Sequence, residues 1–516
     1  MLLNSISTFS RNKVMSMGHG VLAIILILVA SSFSTVYHVA KTGADTNAGT
    51  GAQPFLTIQK AADVMQPGDS VLIHAGTYRE WVNPPRGGTS ESARITYKSA
   101  AGEKVIIKGS EVVTTWVSQS NGVWKVDIAD SFFGSYNPWT QKMQGSYLID
   151  CENLCHLGEV FLDDMIFYHE KQSLSAVKDS ARSWYTTHAG TTTTIYANFG
   201  SANPNTQSSE INARELVFGS KTLHLNYITI DGLSIMQSAE NWDKQENSTR
   251  YGLITTSGGK GWIIQNCIIK FAKMRGISMD HDGQVDDYNL IGHHIIRDNI
   301  IEECGHAGVC GHAASASVIS GNWIRNIHGT RPYFGVEQGG IKLHFAQDVL
   351  ISGNIISRVD AREFSEGIWL DWQCQNNRIT GNVIMDIGTV EASENTSIHI
   401  EMSHGPNLVD NNILLFTTTP NPTYYYHPSY FSDGTEIVNN LLFNTTVNLH
   451  KPDGRSPEYY APHSLNPKGN AEPDNNDIKI YNNLFIKKAY FELNTGLGPN
   501  SLLSNNAFMD SAEKYC

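Results

Sequence analysis

Cysteine is scarce in this sequence: seven residues among 516, odd in number and scattered. That excludes a disulfide framework as the source of stability, although Cys151 and Cys155 sit close enough in sequence for a local bridge. Charge is sparse too, at 17% of residues, and bases are outnumbered 37 to 50, for a net charge of -13. An acidic chain is repelled at long range by nucleic acid, by anionic membranes and by acidic polysaccharides, whereas a neutral ligand meets no such barrier. Apolar runs of membrane-spanning length are missing beyond the first 34 residues, and so, from about residue 225 onward, is any helical periodicity. What is plentiful is glycine (44 residues) and aromatic side chains (10%), the composition of a rigid β-rich protein.

Residues 1–34 read as a secretory signal peptide. Arg11 and Lys13 precede an apolar stretch from Val21 to Ala30, and the small residues Ser31, Ser32 and Ser34 follow it, a run short for a bilayer span. The expectation is a secreted, extracellular or periplasmic protein that is free of the membrane after cleavage; an uncleaved anchor is the other reading.

One phrase then keeps returning: apolar residues, a polar pair ending in Asn, more apolar residues. It occurs as WIIQNCII, HIIRDNII, VISGNWI, LISGNII, RITGNVI, LVDNNIL, IVNNLLF, IYNNLFI and LSNNAFM, centred on Asn266, Asn299, Asn322, Asn354, Asn382, Asn412, Asn440, Asn483 and Asn506. Short β-branched strands at such a period, with no helices between them, describe the coils of a parallel β-helix stacked about 4.8 Å apart. Asn at a fixed place tolerates the left-handed backbone of a tight corner, and stacked Asn side chains bond one another. The expected fold is therefore all-β: a right-handed parallel β-helix with an inserted β-sandwich. Residues 35–109 form an N-terminal cap (the short amphipathic helix Phe55–Met65) and the first coils. Residues 110–215, where longer alternating strands such as GVWKVDI and TTTTIYANF replace the Asn phrase, form the insertion, and residues 216–516 form the main β-helix with the active site.

A second strand aligns over five coils as GISMDH, GVCGH, GIKLH, GIWLDW and SIHIEM. If Ile277, Val309, Ile341, Ile368 and Ile398 point inward, then alternation sends Ser278, Cys310, Lys342, Trp369 and His399 outward. The same alternation sends outward Asp280, His312, His344, Asp371 and Glu401, a column of ionisable groups only. Polar outward positions need no function. Two carboxylates on neighbouring rungs repel, however, so a merely structural ladder gains nothing from Asp371 and Glu401. Trp369 and Trp372 beside them suit a sugar face. Carboxyl groups about 5 Å apart are the spacing of a retaining glycosidase, one acting as nucleophile and the other as acid/base, whereas inverting enzymes need about 6.5–9.5 Å. The columns alone leave the two roles interchangeable. His399 and His404 lie near enough to tune Glu401. His312 and His344 are expected to bond substrate hydroxyls, and Asp280, three coils below Asp371, is a distal contact at most.

The motifs WLDW (369–372), IEMSHGP (400–406), GIKLH (340–344) and the opening YHVAKTG (37–43), with PHS (462–464) and IYANF (195–199), closely resemble glycoside hydrolase family 120 over about residues 37–490. The resemblance implies a β-helix carrying a β-sandwich and β-xylosidase activity on xylo-oligosaccharides. It puts the nucleophile on Asp371 and the acid/base on Glu401, with a further acid at Glu337 in GVEQGG. Lys342 then either bonds a sugar hydroxyl or neutralises Glu337. The segment between Asp371 and Glu401 is longer than in the family, with the extra residues around Thr389–Asn395. No metal or other cofactor is expected, the partner is a neutral glycoside, and a homo-oligomer is possible from this reading. His463 and Arg331 are weaker candidates. Three rivals remain: a polysaccharide lyase, for which Lys342 stands alone as a base; a metal-dependent hydrolase using His312, His344 and Asp371; and a non-catalytic carbohydrate-binding surface β-helix.

Overall fold

The computed structural model describes residues 34–145, 148–151, 155–167, 169–222, 224–242, 251–280, 291–312, 314–329, 331–360, 364–388, 394–416, 427–449, 475–487, 491–492 and 496–509. The expected signal peptide, residues 389–393 of the lengthened segment and His463 lie outside them.

Each Asn phrase folds as two short strands meeting at a corner, as in Ile263–Gln265 and Ile268–Lys270. A third strand, such as Arg275–Ser278, completes the coil. Among the described residues the coils stack into three sheets of thirteen, twelve and ten strands, whose neighbours within the solenoid pair in parallel. The centre of each three-residue strand points inward. Ile264, Ile296, Ile319, Ile351, Ile379 and Val409 form one fully buried column, and Ile269, Ile301, Ile324, Ile356, Ile384 and Leu414 form another. Burial of each such side chain contributes about 1.5–3 kcal/mol, so the repeat itself supplies the driving force.

The two tasks expected of the phrase Asn are divided between successive residues. Positive φ falls one place earlier, at Asp298, Gly321, Gly353, Gly381, Asn411, Asn439, Asn482 and Asn505. The Asn that follows turns inward and, except for half-exposed Asn506, is buried. Its Nδ2 donates to the Oδ1 of the next coil's Asn, at 2.9 Å for Asn299 to Asn322 and 3.0 Å for Asn382 to Asn412. The same amide also donates to a backbone carbonyl, Ile264 O for Asn299 and Ile351 O for Asn382. Asn266 is the exception: it holds the positive-φ place (φ 55°), and Cys267 takes the ladder place, its N–H donating to Asn299 Oδ1.

The opening helix is Ile58–Val64, shorter than the apolar pattern suggests because Thr57 caps it, its hydroxyl accepting from Lys60 N. From Ser110 to Asn212 the chain builds two sheets of four and five strands, the sandwich expected from the sequence. Trp116, Val126, Trp139, Val160, Phe167, Trp184, Ile195 and Ile211 fill the space between them. One further strand of the insertion, Leu148–Asp150, leaves the sandwich and pairs antiparallel with Phe334–Gly335 of the solenoid. The Cys151–Cys155 bridge is not formed: Cys155 Sγ donates instead to the Cys151 carbonyl at 3.1 Å. Among the described residues no helix is long and apolar enough to cross a membrane.

Candidate active site

The column of ionisable residues lies on the ten-stranded sheet. His312 pairs with His344, His344 with Asp371, and Asp371 with Glu401 as direct register partners. Two residues earlier in each strand, Cys310, Lys342, Trp369 and His399 form the adjacent outward column. Ile341, Leu343, Ile368, Leu370, Ile398 and Ile400 between them are fully buried in the core.

Alternation does not hold further back along the strand. A Cβ at Gly367 would stand 2.8 Å from Ile384 Cγ2 and 2.4 Å from the Ser397 carbonyl, so this residue faces inward beside Ile368, itself an inward residue. A Cβ at Gly340 would likewise lie 2.6 Å from Ile356 Cγ2. Two successive inward residues reverse the parity, and the residue before Gly367 emerges on the outer face. That residue is Glu366, 1% exposed, its Oε1 3.3 Å from His399 Nδ1. Sequence reasoning missed it because a strict period of two, counted back from Ile368, hides Glu366 in the core. The glycine recurring at 276, 308, 340 and 367 is the signal that exposes the shift.

The two central carboxylates have different surroundings. Asp371 is 4% exposed and Glu401 6%. Asp371 Oδ2 accepts from Lys342 Nζ at 2.6 Å and lies 3.4 Å from His344 Nδ1, whereas its Oδ1 is buried without a hydrogen bond from the protein. Glu401 Oε2 accepts the indole N–H of Trp369 at 3.0 Å. Burial and then the Glu401 charge push the Asp371 carboxyl up from its ordinary value, and Lys342 and His344 pull against that rise. Two buried carboxyls this close hold a proton between them.

Several expected residues take different partners. Lys342 is bonded to Asp371 rather than to Glu337. Glu337 faces His344, whose Nε2 is 3.6 Å from its Oε1, so the imidazole bridges Glu337 and Asp371. Trp369 was expected as a sugar platform, but its ring lies between Lys342 Nζ, from the preceding rung, and the His399 ring of the following rung, stacked at 5.3 Å and 9°. Trp372 stands edge-on to His344 and Phe345, and His312 packs on Phe345 with centroids 4.6 Å apart. These four rings form one wall. His404 is held by Asp433 of the next coil, 3.7 Å away. Arg331 is 2% exposed and, with Lys273, surrounds Glu159 of the insertion.

Donor atoms of Glu337, His344 and Asp371 lie within 4.8 Å of one another, a different trio from the His312, His344 and Asp371 of the metal-dependent reading. The Lys342 ammonium 2.6 Å from Asp371 Oδ2 already puts a positive charge on the shared carboxylate, which opposes a second cation there.

The insertion reaches this site through Glu337. Its strand Leu148–Asp150 pairs two residues ahead of Glu337, at Phe334–Gly335. Tyr333, buried among Met143, Leu157, Trp242 and Met274, donates its hydroxyl to the Lys273 carbonyl at 2.8 Å. Glu337 itself sits at φ 69°, and the residues leading to it, Arg331 to Gly335, are the ones held by the insertion.

Residues 113–183 match a family described as glycoside hydrolase 120, insertion domain, and residues 251–442 match a right-handed β-helix region, which supplies the expected hand. The solved complex of XylC with xylose superimposes over 93% of this chain and 86% of its own, with a TM-score of 0.78 and 31% identity. A second solved structure, described as a glycoside hydrolase, gives 0.56 at 13% identity over 93% and 97% of the two chains, a likeness of fold. The uncharacterised protein YwoF of Bacillus subtilis (strain 168) is 35% identical over 75 residues. That stretch is 14% of this chain and 16% of YwoF, so the chain spans a small part of that relative.

Proposed function

The chain belongs to glycoside hydrolase family 120, and we propose that it is a retaining β-xylosidase that releases xylose from xylo-oligosaccharides by double displacement. The observation that carries this reading is the register pairing of Asp371 with Glu401 on adjacent coils. It stacks the two side chains on the same face one rung apart, about 4.8 Å at the backbone, which supports the close carboxyl spacing of about 5–5.5 Å that retaining enzymes use. Xylose as the sugar is supported by the XylC complex.

The asymmetry of the pair supports the roles. An ammonium on Asp371 Oδ2 favours the charged carboxylate, so the shared proton belongs on Glu401, with Trp369 donating to its other oxygen. Asp371 Oδ1 attacks the anomeric carbon while Glu401 protonates the departing glycosidic oxygen, leaving a glycosyl ester on Asp371. Glu401, now ionised, takes a proton from water; the hydroxide adds to the anomeric carbon and the ester oxygen leaves as carboxylate. His344, between Glu337 and Asp371, and the wall of His312, Phe345 and Trp372 are the proposed sugar contacts. The signal-like layout of residues 1–34 supports export to the medium or periplasm.

Aryl β-xylosides test the reading with Asp371→Asn and Glu401→Ala. Both variants lose turnover by orders of magnitude, and azide restores the Glu401 variant with a β-xylosyl azide product. Full activity in either variant, or an α-azide product, overturns the assignment.

A further inference from the structure

Glu366 is a fully buried carboxylate beside the site that the two-carboxylate reaction leaves unused. Its Oε1 lies 3.3 Å from His399 Nδ1, while Oε2 is buried without a hydrogen bond from the described residues. An uncompensated carboxylate in such a place is costly, and a cation beside it removes most of the cost. The His399 ring in turn lies parallel to Trp369, and Trp369 donates its indole N–H to Glu401. A continuous line of contact therefore runs from Glu366 through His399 and Trp369 to Glu401.

We infer that Glu366 is a positioning residue acting through His399: it keeps a proton on the imidazole, and the resulting imidazolium both braces the Trp369 indole against Glu401 and supplies a positive charge beside the carboxyl that alternates between acid and base. This inference rests on Glu401 having that role. The charged groups facing His399 are consistent with it. Glu366 and Asp371 come from the preceding rung and Glu401 from its own strand. Lys342 stands beyond Trp369. On the following coil His399 registers with Tyr430, whose side chain lies outside the described residues. Burial works to lower His399, but Glu366, followed by Glu401 and Asp371, outweighs it and holds the imidazole above its ordinary value. Burial pushes Glu366 up as well, against the pull of His399 and Lys342, as befits two groups that share a proton.

Glu366→Gln, His399→Phe and the double variant test this. The Phe keeps a ring on Trp369 and removes the proton-binding group. Either change leaves an uncharged residue at both places, because a buried carboxyl without its cation takes up a proton. Loss of the imidazolium favours the protonated form of Glu401. The alkaline limb of the kcat/KM profile on xylobiose therefore moves to higher pH by about one unit in each single variant, and the double variant moves no further. On a nitrophenyl xyloside, whose leaving group needs no proton, the first step changes little. An unmoved limb in folded variants, or a double variant displaced by the sum of the singles, overturns the inference; if Glu366→Gln does not fold, His399→Phe alone decides it. Retained turnover in Asp371→Asn or Glu401→Ala counts against the retaining reading instead, so the two failures are distinct.

Discussion

Lys342 Nζ lies 2.6 Å from Asp371 Oδ2, a cation on one rung bonded to the carboxylate of the next. Lys342 is 1% exposed, so little solvent screens the pair. Lys342→Met removes the group that favours ionised Asp371. A loss of roughly 10²–10³ in kcat/KM follows, the usual effect of deleting one preorganised donor. The acid limb of the profile moves to higher pH, because Asp371 then needs a less acidic medium to ionise. Steady-state rates across pH 4–9 check both.

The anchoring of the insertion predicts a second effect. Glu159 is bonded to Lys273 and lies 3.5 Å from Arg331, all three nearly inaccessible. Glu159→Gln removes the buried carboxylate bonded to Lys273 and facing Arg331, for a loss of about 3–5 kcal/mol of stability. Because Arg331 begins the segment that carries Glu337, kcat/KM falls as well. Asp127→Asn, which breaks the exposed Lys125–Asp127 pair, leaves both nearly unchanged. Denaturant titration with matched kinetics distinguishes the two variants.

Two buried histidines weaken the fold as the pH falls. Burial pushes His294 down to about 3 and His328 down to about 4, and His294 Nδ1 accepts the Trp262 backbone N–H at 3.1 Å, which requires the neutral ring. Their folded values lie below the unfolded value near 6.5, so the fold binds fewer protons than the unfolded chain. The stabilisation is complete above about pH 6.5 and is lost as pH falls through the window toward 3–4, at about 1.4 kcal/mol per pH unit for each ring. The unfolding free energy should drop by about 2 kcal/mol between pH 6.5 and 5.5 from this pair, and His294→Gln should halve that slope.

The Asn ladder makes a positional prediction. In Asn382→Ala, the backbone N–H and Nδ2 of Asn354, both bonded to Asn382 Oδ1, lose their acceptor, and Ile351 O and Asn412 Oδ1 lose a donor. At about 1–3 kcal/mol for each buried group left unmade, the loss is several kcal/mol. Asn506→Ala, at the half-exposed end of the described ladder, costs far less. Thermal unfolding of the two variants gives the comparison.

The coil period, the inward columns and the pairing of Asp371 with Glu401 were legible because each follows from a repeat of side chains with one periodicity. The division of labour between Asp298 and Asn299 was not, since a recurring Asn serves a left-handed corner and a buried ladder equally well on paper. Glu366 escaped notice because steric exclusion at Gly367 shifts the strand's parity, a packing effect absent from a period-two count. The partners of Lys342, Trp369 and His404 depend on which side chains fill the space between rungs, and on distances of a few ångströms that spacing in sequence does not set.

The stereochemistry of the first-formed product tests the central claim most directly. Proton NMR during hydrolysis of an aryl β-xyloside should show β-xylose appearing first, with the α anomer growing only by mutarotation. If α-xylose appears first, water attacks directly, and the pairing of Asp371 with Glu401 does not act by double displacement.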